Sequence, residues 1–474
     1  NLTSPDEYYH VEILKLPSYN LVGFLPNTLS ELLYLQQMNL NTNQLRGPIS
    51  AALGGLIQLQ ILDLHSNLLS GPIPVSLGSL HELQGMSLSN NQLTGFIPES
   101  LSSLTRLLVL NLHSNQLSGP IPVSLGNLSK LQGLGLNGNQ LTGYIPESLG
   151  SLTQLQILYL FTNKLSGPIP ASLENLINLK VLDLDSNKLT SAIPESLDCL
   201  KQLQILSLYS NQLTGSIPES LGALTNLISL ELYANQLSGT IPASLSSLTL
   251  LQGLDVSSNQ LTGSIPNTFS DLTQLQALSL NTNLLTGSIP ISLGSLSQLN
   301  YLYLYSNMLT STIPSLLRLP HIRIVQLQNN MLTGRLDNIF DPVTQGEVEM
   351  VTLNNNQLTG TVPGEIFQLN LKSFSSINNC LEGPLPITAM CNNSKLADLI
   401  MDGMSSAQSC QHKLFGSTYT LQYDIGGSLP TCLFQLPNIT TLHLSGNGFT
   451  GSIPGDLQIS KTLTDLSLSH NSLS

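Results

Sequence analysis

Leu203-Gln204-Ile205-Leu206-Ser207-Leu208-Tyr209-Ser210-Asn211-Gln212-Leu213-Thr214-Gly215-Ser216-Ile217-Pro218 is the phrase that decides the fold. Leu206 and Leu208 are two apart, the period of a strand, so both point to one face. Asn211 follows with an amide that has two donors and an acceptor, enough to satisfy backbone groups where the strand ends. Gly215 and Pro218 supply a permissive and a fixed backbone position for a bend. The phrase recurs. An Asn stands every 24 residues at Asn43, Asn67, Asn91, Asn115, Asn139, Asn163, Asn187, Asn211, Asn235, Asn259, Asn283 and Asn307. The spacing then loosens to Asn330, Asn356 and Asn379 and returns at Asn447 and Asn471, while Tyr19 holds the anchor place in a variant first repeat (Val11 to Pro26). About eighteen repeats result. One coil cannot bury its own Leu face, so the coils must stack into a solenoid, with strands paired in one parallel sheet whose layers lie ~4.8 Å apart.

Composition agrees with one simple unit used many times. The chain has 474 residues, a length that would otherwise suggest about three globular domains. Charged residues make up 9% and aromatic residues 5%, yet hydrophobic residues reach 41%, enough for a large core. With 28 acidic and 15 basic residues the net charge is −13. No basic patch exists to neutralise phosphates, which argues against nucleic acid and against anionic membranes as partners. No run approaches the ~20 apolar residues of a membrane span, so no membrane insertion is expected.

The pattern resembles the plant-type leucine-rich repeat, LxxLxLxxNxLxGxIPxxLxxL, of plant receptor-kinase ectodomains and polygalacturonase-inhibiting proteins. The resemblance covers nearly the whole chain. It implies an α/β solenoid, a right-handed superhelix with one long parallel sheet on the concave side and short strands, 3-10 or helical turns on the convex side. Members usually begin with a cap containing a Cys pair and a Trp, and residues 1–10 supply none. The sequence starts at Asn1 without Met and stops three residues after Asn471, which predicts a stretch of a longer protein with its caps outside. Repeats are expected over 11–386 and 428–474. Between them, 387–427 forms an irregular repeat, because Leu396 to Met401 reads as a strand with its anchor at Met404 and the next Gly-x-Leu-Pro phrase arrives late. An island at about 405–423 accounts for the delay, and long insertions in compact arrays are often functional. Below the 24-residue period lies a second one: Ser70-Gly71-Pro72 matches Ser118-Gly119-Pro120, and Thr94-Gly95-Phe96 matches Thr142-Gly143-Tyr144, a pair 48 residues long.

Catalytic and metal signals are missing. His81-Glu82 opens like HExxH but has no second His. Asp183-Leu184-Asp185-Ser186-Asn187 mimics the start of a calcium loop, but Lys188 replaces the required Gly. No nucleophile sits beside a base, so neither enzyme nor cofactor is expected.

Four of five Cys fall between 380 and 432, which suggests disulfides and an oxidising compartment; Cys199 stands alone. Cys380 follows Asn379, and the matching place one layer on lies near Cys410. Cys391 and Cys432 both follow proline turns in neighbouring layers. Adjacent layers are within bridging range, so the expected pairs are Cys380–Cys410 and Cys391–Cys432, with Cys391–Cys410 the alternative. Sequons at Asn1, Asn127, Asn392 and Asn438 are candidate glycosylation sites, and the last three map to the convex side or edge, leaving the concave sheet bare.

These features predict an extracellular or cell-surface scaffold that recognises a protein, a peptide or a glycan. A building block of a wall, matrix or surface filament, assembled with other copies or domains, is the alternative. Ice binding is a minor one, drawn from the hydroxyl column Ser70, Thr94, Ser118, Thr142, Ser166, Thr190, Thr214, Ser238, Thr262 and Thr286. Contact residues should stand six, four and two places before each anchor, where strand side chains alternate outward. Most repeats fill these with Ser, Asn, Gly or Gln. Between Asn163 and Asn259 they hold Tyr159, Phe161, Asp183, Asp185, Tyr209, Glu231, Tyr233 and Asp255, and Tyr301, Tyr303 and Tyr305 follow two layers later. Neighbouring coils do without such residues, so the fold does not require them. The expected ligand site is this patch, with the island as a secondary contact.

Overall fold

The structure is a computed structural model that describes residues 10–314, 319–404, 406, 412–414, 417–419 and 425–474. Two compact units divide the chain, Asn1–Gln236 and Leu237–Ser474.

In the first unit a parallel sheet runs from Ile13–Lys15 to Ser229–Glu231, one three-residue strand per coil. Pairing advances by one repeat at each step, so Leu182 faces Leu206 and Leu206 faces Leu230. These Leu, with Leu203, Leu208, Leu213 and Leu221, are fully buried and form a continuous column of core. Stacking supplies what a single coil lacks, since each buried Leu stabilises by about 1.5–3 kcal/mol only when a neighbouring coil covers it.

The strand ends in a tight turn. Thr42, Ser66, Asn90, Ser114, Thr162, Ser186 and Ser210, each one place before an anchor, all take left-handed φ, 51° at Ser210. That backbone reversal swings the next side chain inward. Asn211 Nδ2 then donates to the carbonyls of Leu184 (3.1 Å), Leu208 (3.1 Å) and Tyr209 (3.2 Å), and its Oδ1 accepts from the Leu189 N–H at 2.9 Å. The same set repeats at Asn67, Asn115 and Asn187. Tyr19 does not join this column. It is 66% exposed, and the ladder begins at Asn43, which takes the Leu21 N–H and donates to Leu16. A phenol lacks the pair of N–H donors with which the Asn amide serves several carbonyls.

Beyond the anchors a second parallel sheet of eight strands runs from Val22–Gly23 to Lys188–Leu189. It stops at the coil where Ser191, with φ 69°, occupies the place that Gly fills elsewhere. The convex side carries a 3-10 turn in each coil, such as Glu219–Ala223, entered through Pro218 with φ −63°. Ser hydroxyls stitch these turns together, Ser148 to the Val123 carbonyl at 2.6 Å among them.

The second unit repeats this plan from Gly253–Asp255 to Asp465–Ser467. Its outer strands are shorter groups, such as Thr333–Arg335, Gln357–Gly360 and Cys380–Leu381. The expected strand before Met404 is Asp398–Ile400, and the buried Met404 donates its N–H to Asn447 Oδ1 at 3.0 Å. A short α-helix, Ile387–Asn392, replaces the 3-10 turn there. Most of the expected island, 405–423, lies outside the described residues; within it His412–Leu414 and Ser417–Tyr419 pair antiparallel. Among the described residues no helix is long and apolar enough to cross a membrane.

Candidate functional site

In the first unit, four adjacent strands set the outward side chains in register. Tyr159 lies opposite Asp183, Asp183 opposite Ser207, and Ser207 opposite Glu231. Tyr159 and Phe161 meet edge to face, 5.8 Å between centroids. Tyr209 and Tyr233 stack nearly parallel at 4.3 Å. Such ring pairs add to the patch a rigid apolar surface with little rotamer freedom left to lose.

The acidic residues are held from below. Glu231 accepts from Ser229 Oγ at 3.0 Å and from Ser207 Oγ at 3.2 Å. Asp185 is only 3% exposed and takes the Ser186 hydroxyl at 2.8 Å and the Tyr209 hydroxyl. It was expected on the open face and instead supports the ring of Tyr209 from within. Asp183, half-buried beside it, has its carboxyl pushed up to about 7, first by burial and then by the hydrogen bond and negative charge of Asp185, with Glu231 adding repulsion. Burial beside a second carboxylate disfavours the charged form of Asp183. Burial and the bond to Asp185 also push the Tyr209 phenol well above its usual range.

The residues expected in the second unit form a different group. Asp255 accepts from the Ser257 N–H at 2.9 Å and its hydroxyl at 2.6 Å. Tyr301 and Tyr303 lie nearly parallel at 6.3 Å. Burial, with the neighbouring Tyr301 and Tyr305, pushes the Tyr303 phenol up. Arg323 donates to the Tyr301 hydroxyl at 3.4 Å and pairs with Glu349 at 2.5 Å, and Lys372 closes the chain on Glu349 at 2.9 Å. This ionic row escaped sequence reasoning. It occupies the column seven places before the anchors Asn330, Asn356 and Asn379, and a count of charges down that column would have found it.

Cys391 and Cys432 are disulfide-bonded with a Cα separation of 5.8 Å. Cys380 is bonded as well, and Cys410 lies outside the described residues. Cys199 is free and exposed. Asn127 ends the 3-10 turn Val123–Asn127, and Asn392 ends the helix Ile387–Asn392; both are exposed. Asn438 is exposed and donates to the Ser394 carbonyl at 2.8 Å. Asn1 lies outside the described residues. Among the described residues no group of three or more His, Cys, Asp or Glu is placed to hold a metal ion.

Strand, inward Asn and 3-10 turn, repeated coil upon coil beneath a variable outer face, define a solenoid repeat protein. The chain matches the leucine rich repeat family over residues 57–117, 170–213, 225–285 and 251–309, with further single repeats at 130–152, 154–176 and 438–458. It belongs to that family. It is similar to Receptor like protein 28 of Arabidopsis thaliana, 32% identical over 82 residues, a match spanning 17% of this chain and 10% of that protein. Its structure resembles that of the plant peptide hormone receptor RGFR1 in complex with RGF2. The TM-score is 0.89 at 33% identity, covering 98% of this chain and 71% of that one. The Arabidopsis receptor kinase HAESA, solved with the peptide hormone IDA and the co-receptor SERK1, gives a TM-score of 0.84 at 32% identity, covering 99% and 80%.

Proposed function

We propose that the chain is a non-enzymatic extracellular recognition scaffold whose concave sheet captures a peptide carrying a basic group. The observation that carries this reading is the patch in the first unit, where the Tyr209–Tyr233 stack borders Asp183 and Glu231. The rings offer contact area at low entropic cost. The carboxyls, short of compensating positive charge, favour an Arg or Lys side chain that would let Asp183 ionise. Tyr159 and Phe161 extend the surface by one edge-to-face pair. Asp185 acts as a support and not as a contact. Two similar structures were solved with peptide hormones, which supports a peptide over a glycan for this chain. Exposed Asn127, Asn392 and Asn438 are proposed to carry glycans, consistent with an extracellular location. The Tyr301, Tyr303 and Tyr305 row and the 405–423 island are proposed as secondary contacts.

A displayed peptide library panned on the full chain tests this. Captured peptides should be enriched in Lys or Arg and should fail to bind the variant Tyr209→Ser with Tyr233→Ser. Captured peptides that bind the double variant as well as the parent would move the site elsewhere.

A further inference from the structure

We propose that the peptide captured at the concave patch carries its basic residue between two aliphatic ones, a Val, Ile or Leu on either side, and that Ile157, Val181 and Ile205 select for them. The inference rests on the reading of that patch as a peptide site. The three residues stand six places before the anchors Asn163, Asn187 and Asn211. Strand pairing sets them directly opposite one another, Ile157 to Val181 and Val181 to Ile205. They form a straight stripe across three coils. Ile157 and Ile205 are each 37% exposed, and Val181 is half-buried between them.

Strand propensity accounts for the type of these residues but not for their grouping. Upstream, the same column holds Ile61 and Val109 singly, with Gly85 between them. The stripe also has ends. Gly133 lies opposite Ile157 on one side, and Ser229 lies opposite Ile205 on the other. Space does not demand that Gly, since a Cβ built on Gly133 would meet only the Val109 methyls, at 3.9 Å. The apolar run therefore occupies the same three coils that hold Tyr159, Asp183 and Ser207. The stripe and the acidic patch lie side by side, roughly 7 Å apart along the strands.

An extended peptide laid flat across the coils sends successive side chains to opposite sides, and those on one side recur about every 7 Å. Three coils of sheet span roughly 10 Å. Two aliphatic side chains flanking a single residue thus fit over the stripe, the first between Ile157 and Val181, the second between Val181 and Ile205. The residue between them points the other way, to the middle coil, where Asp183 stands. Asp183 has the carboxylates of Asp185 and Glu231 for neighbours, which favours a Lys or Arg at that place. A basic residue with polar neighbours would leave the stripe in water, and an aliphatic pair about a neutral residue would leave the carboxyls without a cation.

Fluorescence anisotropy on the full chain with three labelled synthetic peptides provides the test. All have Gly-Ser tails; one has Val-Lys-Val at its centre, one Ser-Lys-Ser and one Val-Gln-Val. The parent should bind the first about tenfold more tightly than the second, the effect of covering two aliphatic side chains in part. The variant Ile157→Thr with Ile205→Thr keeps a β-branched residue in both strands, so its Tm should match the parent. It should bind Val-Lys-Val and Ser-Lys-Ser alike and still prefer both to Val-Gln-Val. Val181→Thr, with neither Ile touched, should weaken the aliphatic preference on its own. Equal binding of Val-Lys-Val and Ser-Lys-Ser by the parent would overturn this inference, and a preference of the parent for both over Val-Gln-Val would then leave the patch standing as a site for a basic group. A double variant that keeps the tenfold preference would overturn it too. Equal binding of Val-Lys-Val and Val-Gln-Val, or no binding of any of the three, would overturn the inference and the reading of the patch together.

Discussion

The hydroxyl of Tyr209 bonds to the buried carboxylate of Asp185 in the preceding coil, while its ring stacks on Tyr233 in the following one. One side chain therefore ties three coils together on the open face. It also explains how a carboxylate 3% exposed can persist there, because the phenol and the Ser186 hydroxyl replace the water it has lost.

The same crowding makes stability depend on pH. The folded pKa of Asp183, about 7, lies above its ordinary 3.8. The folded carboxyl keeps a proton that the unfolded chain has released, so its favourable contribution is complete below 3.8 and is lost as pH rises through about 7. Asp183→Asn should raise Tm at pH 8 and leave it nearly unchanged at pH 3.5. Thermal melts at the two pH values check this, and equal shifts would contradict it.

Asn211→Ala removes an amide that serves three carbonyls and one N–H, on its own and the preceding coil. Each group stranded in the core costs ~1–3 kcal/mol. Urea unfolding should show a loss of at least about 2 kcal/mol, and a variant as stable as the parent would show that water fills the site without penalty.

Cys432→Ser opens a bridge that spans 41 residues between the helix Ile387–Asn392 and the turn Thr431–Gln435. Loop closure of that length is worth about 2–4 kcal/mol. The variant should melt earlier than the parent under oxidising conditions, and most of the difference should vanish once both are reduced.

Ser191 and Ser311 hold left-handed φ of 69° and 67° where other coils have Gly. An L-residue pays roughly 1–2 kcal/mol for that conformation. Ser191→Gly should therefore raise stability by about 1 kcal/mol, read as a higher urea midpoint with unchanged slope. A lower midpoint would mean that the Ser side chain makes up for its backbone.

Where sequence and structure agree, a repeated physical cause is at work. Leu206, Leu208 and Asn211 are legible because every coil poses the same burial problem and solves it with the same residues. Asp185 and Tyr209 are not: period-two alternation places both outward, and nothing in the alternation says that one will fold under the other's ring. The left-handed residue before each anchor is equally hidden, since Thr42, Ser66 and Ala234 share no chemistry beyond small size. The turn imposes their conformation through the Asn that follows. Tyr19 shows the opposite case, a repeat recognised by spacing whose side chain stays exposed because a phenol cannot serve several carbonyls as the Asn amide does.

The Asn ladder also has a direction. Asn67 reaches back 27 residues to the Leu40 carbonyl and takes the N–H of Leu45, and both groups belong to the coil before its own. Each coil is thus fastened by the one that comes after it. A coil whose successor has not yet emerged from the ribosome lacks these bonds, so its turn is completed only when the next repeat arrives. The newest coil, with its carbonyls still open, is always the seat prepared for its successor.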